Sequence, residues 1–115
     1  MNKYVVPAKI QHKQHKEKLK KRQQRGYEIA QEAANLLKTE YGAKQVILFG
    51  SILSIDCINS RSDIDLAVMG INSKDYFRAL GRLKRLDADF TIDLVEIQED
   101  KPQIYQNILQ KGIVL

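Results

Sequence analysis

The stretch "VILFGSILSIDCINSRSDIDLAV", residues 46–68, sets a Gly-Ser pair directly after one apolar run and two aspartates at the mouth of the next. "QVILF", residues 45–49, is short, β-rich and almost continuously apolar, as expected of a strand covered on both faces. Gly50 and Ser51 end it, Ile52 to Ser62 read as a short helical turn plus loop, and a second strand follows at Asp63 to Met69. Carboxylates at the start of a buried strand are costly unless something cationic pairs with them. Strand side chains alternate, so Asp63 and Asp65 share one face, ~6–7 Å apart, while Ile64 and Leu66 share the other. Such a pair can hold a cation, and Mg2+ favours one or two carboxylates plus substrate phosphates. Gly50 lets backbone N–H groups approach an anion, and Ser51 adds a hydroxyl donor.

Toward the C-terminus, Asn72 or Ser73 caps a helix whose Tyr76, Phe77, Leu80 and Leu83 form an apolar stripe. "FTIDLVEI", residues 90–97, reads as a third strand carrying another acid, Asp93, with Glu96 on its opposite face. Pro102 suits the first turn of a last helix that turns Ile104, Tyr105, Ile108 and Leu109 inward; Gly112 ends it and "IVL" adds an edge strand. Toward the N-terminus, Ile29, Ala33, Leu36, Leu37 and Tyr41 recur at helical spacing, which predicts a packed helix over 27–40 closed by a left-handed Gly42. The order of elements predicts an α/β (α+β) domain, a small mixed β-sheet flanked by helices, over residues 27–115.

The 115 residues, 43% of them hydrophobic, suit one domain with a real core. The formal charge of +5 is unevenly placed: residues 11–25 hold seven Lys/Arg against Glu17, whereas residues 26–115 carry a small acidic excess. Residues 1–26 therefore read as a basic arm, a solvated helix or frayed segment whose only large apolar residues after Pro7 are Ile10 and Leu19. The arm can be read as a solvated helix face, a contact for an acidic partner or an RNA/DNA grip; partner contact or plain solvation is favoured over nucleic acid, and the lack of any aromatic between Tyr4 and Tyr27 for base stacking counts against a single-strand binder. His12 and His15 in this arm are given no catalytic role. Cys57, between Ile55 and Ile58, is expected to be a small buried hydrophobe, and Tyr27, Tyr41, Tyr76 and Tyr105 to be core or interface residues. One cysteine permits no intramolecular disulfide, no Cys/His cluster has zinc spacing, and no signal-peptide or membrane-span pattern is visible. A soluble cytoplasmic protein with no membrane contact is expected.

Asp93 completes a potential cluster of three acids with Asp63 and Asp65, enough for two Mg2+ ions in an in-line phosphoryl or nucleotidyl displacement, with Asp93 nearest the acceptor hydroxyl as its general base. "LFGS", "SRSDIDLAV" and "IDLVEI" together resemble the minimal nucleotidyltransferases of the DNA polymerase beta superfamily: Gly-Ser, a spacer of ten or eleven residues, Asp-x-Asp, then a third acid on a later strand. The resemblance implies a nucleotidyltransferase fold, Asp63, Asp65 and Asp93 as metal ligands and catalytic acids, and Gly50 and Ser51 as the nucleotide-phosphate grip. It further implies ATP as substrate and a HEPN-domain toxin as partner in a toxin-antitoxin pair. The antitoxin would silence that toxin by transferring AMP to one of its tyrosines. One departure stands out: family members commonly have Arg-Gly where this chain has Ser54 and Ile55, and a β-branched residue resists positive φ, so this turn must differ. Two other functions compete with catalysis: a catalytically weak antitoxin that covers its partner sterically, and a small basic nucleic-acid-binding regulator.

Overall fold

The protein is described from a computed structural model that covers residues 8–59, 61, 63–98 and 100–115, with the backbone alone for residues 8–12. Lys3 of the basic arm, Ser62 of the spacer and the side chain of His12 fall outside the described part. The chain forms helix α1 (Ala8–Tyr41), strand β1 (Gln45–Phe49), a 3-10 turn (Ser51–Leu53), strand β2 (Ile64–Met69), a second 3-10 turn (Ser73–Asp75), helix α2 (Tyr76–Leu83), strand β3 (Ile92–Glu96), helix α3 (Pro102–Lys111) and strand β4 (Ile113–Val114). The expected mixed α/β architecture is present. The sheet order is β3-β2-β1-β4, with β1 antiparallel to β2 and β4, and β2 parallel to β3.

Alternation along the strands builds two layers. Val46 and Leu48 of β1, Ile64, Leu66 and Val68 of β2, and Ile92 and Leu94 of β3 point into the main core. There they meet Ile29, Ala30, Ala33, Ala34 and Leu37 of α1 and Ala79 and Leu83 of α2. The opposite face supplies Ile47 and Ala67 to a smaller cluster, which Tyr105, Ile108 and Leu109 of α3 cover. The Tyr105 hydroxyl donates to Gln45 Oε1 at 2.5 Å, tying α3 to β1. The small alanines on α1 let the helix lie close on the sheet. Gly42 (φ +67°) then turns the chain out of the helix, as its position predicts, and the Ala43 N–H donates to the Leu37 carbonyl at 3.0 Å.

Several expectations change. The helix expected over 27–40 is one continuous helix of 34 residues that reaches back to Ala8. Lys, Gln, Glu and Ala are all good helix formers, so the segment before residue 27 needs no continuous apolar face to stay helical once it is joined to a packed helix. Its last two turns also touch the body: Leu19 packs on the core, and Gln23 Nε2 donates to the Ile52 carbonyl at 2.9 Å. Phe77 is 81% exposed, not inward. The inward stripe of α2 is Tyr76, Ala79, Leu80 and Leu83, and Phe77 only edges the Tyr76 ring at a centroid distance of 5.2 Å. Ile104 is likewise 51% exposed, because α3 turns Tyr105, Ile108 and Leu109 to the sheet. Cys57 is exposed: the N–H groups of both Cys57 and Ile58 donate to the Ser54 carbonyl at 3.0 Å, closing a turn that buries Ile58 and leaves Cys57 outside.

Arg22 clasps the junction between α1 and the loops at one end of the sheet. Its Nε donates to the Asn59 carbonyl at 3.0 Å, one terminal nitrogen donates to the Asp89 carbonyl at 3.1 Å, and the guanidinium lies 4.0 Å from the centre of the Phe90 ring. Replacing Arg22 by Ala is expected to cost about 1–2 kcal/mol, measured by urea denaturation. Arg22→Lys should recover little of it, because an ammonium has no planar fork to bridge two carbonyls.

Candidate active site

Three strand ends meet at one edge of the sheet: the C-terminal end of β1 and the N-terminal ends of β2 and β3. Asp65 pairs in register with Phe49 across the antiparallel ladder and with Asp93 across the parallel one. Adjacent strands lie about 4.8 Å apart, so Asp65 and Asp93 are side-by-side neighbours on one face, and Asp63 stands two residues along that face. It is the face that α3 covers further along the sheet. Asp65 is half-buried between a partly buried Asp63 and an exposed Asp93.

Gly50 follows β1 with φ +89° and ψ −163°, a region that side chains other than hydrogen avoid. Its backbone presses on Asp65: a Cβ built there would collide with Oδ2 and sit 3.1 Å from Cγ. Glycine is thus required twice, once by its dihedrals and once by the carboxylate beside it. Ser51 opens the 3-10 turn, whose own hydrogen bonds begin at the Leu53 and Ser54 N–H groups, so those of Gly50, Ser51 and Ile52 take no part in it. Ser54 has extended backbone (φ −124°, ψ 123°), and no described residue other than glycine has positive φ. The turn at Ser54 and Ile55 therefore runs without a left-handed residue.

The electrostatics of Asp65 define the site. Among the described residues no donor or cation reaches its carboxylate. Burial first, and then the neighbouring Asp93 and Asp63, push its carboxyl above the usual carboxylate range. A side chain in that position is poorly solvated as an anion and gains from any cation placed between it and its neighbours. The described residues contain no group of three His, Cys, Asp or Glu already gathered around one point. Asp63 neighbours Asp65 along β2 and Asp93 neighbours it across the ladder, so the three form a corner with Asp65 at its apex. Hard carboxylate oxygens on one face, one of them destabilised as an anion, fit Mg2+ by donor type and by charge.

A family model described as "Polymerase beta, Nucleotidyltransferase" matches residues 31–115. The chain belongs to the polymerase beta nucleotidyltransferase family. No match was found among curated proteins. The match runs from the middle of α1 through β4 and so contains the Gly-Ser turn and all three acids of this nucleotidyltransferase domain. No helix among the described residues is long and apolar enough to cross a membrane.

Sequence reasoning missed one part of this nucleotidyltransferase's surface. A cleft of about 160 Å³ opens between the C-terminal end of β3 and α3, lined by Val95, Glu96, Ile97, Gln98, Lys101 and Ile104. Val95 stands two residues beyond Asp93 on the same face of β3 and is exposed, as is Ile104 across from it on α3. The parity of Val95 with Asp93 was visible in the sequence. That α3 would leave the two uncovered was not, since this depends on where the helix crosses the sheet.

Proposed function

We propose that this nucleotidyltransferase is Mg2+-dependent and transfers AMP from ATP to a tyrosine hydroxyl of a HEPN-domain partner, acting as the antitoxin of that partner. The observation that carries this reading is the contact of Gly50 with Asp65, in register with Asp93: a phosphate-approach point against a half-buried acid that has acidic neighbours. Asp63, Asp65 and Asp93 are the residues that would hold Mg2+, and the bound ion supplies charge neutralisation on the triphosphate. The backbone of Gly50 and Ser51, with the Ser51 hydroxyl, grips the phosphates. Asp93, exposed on the edge strand β3, accepts the proton of the acceptor hydroxyl. The acceptor oxygen forms its bond to the α-phosphorus while the bond from that phosphorus to the bridging oxygen breaks, and pyrophosphate leaves. The cleft at Val95 and Ile104 offers an apolar seat for the group that carries this hydroxyl, and a phenol ring suits it. AMP added near the toxin's active site would block it by charge and bulk.

Incubation with α-labelled ATP, Mg2+ and the HEPN-domain partner is expected to label the partner. The double variant Asp63→Asn, Asp65→Asn should reduce labelling to background and abolish protection of cells that express the toxin. A steric antitoxin, which the Ser54-Ile55 turn favours, predicts instead that the double variant protects as well as the wild-type chain; preserved protection would overturn the catalytic reading.

A further inference from the structure

We infer that the N-terminal half of α1 is a docking rail for duplex DNA, held by its phosphates. Helix α1 spans 34 residues, about 50 Å, and the molecule is 63 Å in its longest dimension. A compact chain of this size has a radius of gyration of about 13 Å, whereas this one has 17.1 Å. The excess is the helix. Arg22, Gln23 and Gly26 touch Asn59, Asp89, Phe90 and Ile52, so α1 passes the end of the sheet where the acids stand and continues beyond it.

Lys13, Lys16, Lys18, Lys20 and Lys21 on this segment are all exposed, and none forms an ion pair with a described residue. Leu19 faces the body. At about 100° per residue, Lys13, Lys16 and Lys20 lie along one flank of the rod and Lys18 and Lys21 along the other, roughly 140° apart. Between the flanks the outer face carries the polar side chains Glu17 and Gln24. Two charged flanks around a polar front match a helix in a groove, with a phosphate wall on either side.

Composition selects the partner. Protein interfaces are enriched in aromatic residues, Met and Arg and depleted in Lys and Glu. Residues 8–26 contain no aromatic and no Met, and Lys is their commonest charged residue. The same lack of aromatics removes the stacking that single strands require. The B-form major groove, about 12 Å wide, admits an α-helix, and the deep, narrow groove of A-form RNA does not. Lysines meet phosphates as point charges, so binding is expected to be independent of sequence.

The test is fluorescence anisotropy of a labelled duplex of about 20 base pairs and mixed sequence with the full chain, at several salt concentrations and without nucleotide, so that it is independent of the transfer reaction. Five phosphate contacts predict a slope of log K against log salt of about −4.5. Changing Lys13, Lys16, Lys18, Lys20 and Lys21 together to Gln, which has similar helix propensity, should flatten the slope to near zero and weaken low-salt binding at least about 100-fold. Far-UV circular dichroism checks that α1 persists, and the wild-type slope stands whatever the variant does. A wild-type slope shallower than about −2, or equal binding by the variant, would overturn the inference. So would tighter binding of duplex RNA or polyglutamate than of duplex DNA.

Discussion

Asp65→Asn is expected to lower nucleotidyl transfer by about 100- to 1,000-fold, the loss that follows removal of one preorganised electrostatic element, while making the nucleotide-free protein more stable at neutral pH. The two effects have one cause. The Asp65 carboxyl is held above its usual range by burial and by Asp93 and Asp63, so ionisation at neutral pH works against the folded state. For an acid raised in the native state, the favourable contribution is fully present below the unfolded value and is lost as pH rises through the folded value. Thermal melts without Mg2+, from pH about 7.5 down to about 4, should therefore show the Asp65→Asn variant melting above wild type by a few degrees at the high end, with the gap closing as Asp65 of the wild type takes up its proton. Adding Mg2+ at neutral pH should raise the melting temperature of the wild type and leave the variant unmoved. A variant that melts lower than wild type at every pH would mean that Asp65 is an ordinary structural carboxylate.

Gly50→Ala should damage the fold and the site together. The conformation at φ +89° and ψ −163° costs a residue with a side chain about 1–3 kcal/mol, and the new methyl would stand against the Asp65 carboxylate. For a domain of this size that amounts to roughly 5–20 °C in melting temperature. MgATP binding should vanish even below the melting transition, because the phosphate approach and the acid are displaced at once. Gly42→Ala is the matched control: φ is +67° there too, but a Cβ meets nothing within 4 Å. It should lose about 1 kcal/mol and bind nucleotide normally. Equal nucleotide affinity in both variants would remove Gly50 from the site.

How far the sequence reveals the site follows from the range of the interactions involved. That Asp63 and Asp65 share a face is local, fixed by strand alternation, and needs no knowledge of the rest of the chain. The pairing of Asp65 with Asp93 depends on β2 and β3 being parallel neighbours in one particular register, which element order suggests and only the fold specifies. The closeness of Gly50 to Asp65 was hidden for the same reason, although a glycine between an apolar run and a polar turn marks the spot. The misplaced residues are all apolar ones near element ends or in turns. Periodicity counts Phe77 and Ile104 as inward because it cannot see where a short helix stops facing the sheet, and Cys57 sits in a turn with no period. The length of α1 escaped because helix propensity without an apolar face does not distinguish a fray from a rod, and the contacts that anchor the rod, at Arg22 and Gln23, are long-range.

The central claim is a cation-dependent nucleotide site built on Asp65 and its neighbours. It is tested most directly by titrating ATP into the purified chain in a calorimeter, with and without Mg2+, beside the Asp63→Asn, Asp65→Asn double variant. Binding that requires Mg2+ and disappears in the double variant is the expected result. ATP binding that is the same without Mg2+, or that survives in the double variant, would contradict it.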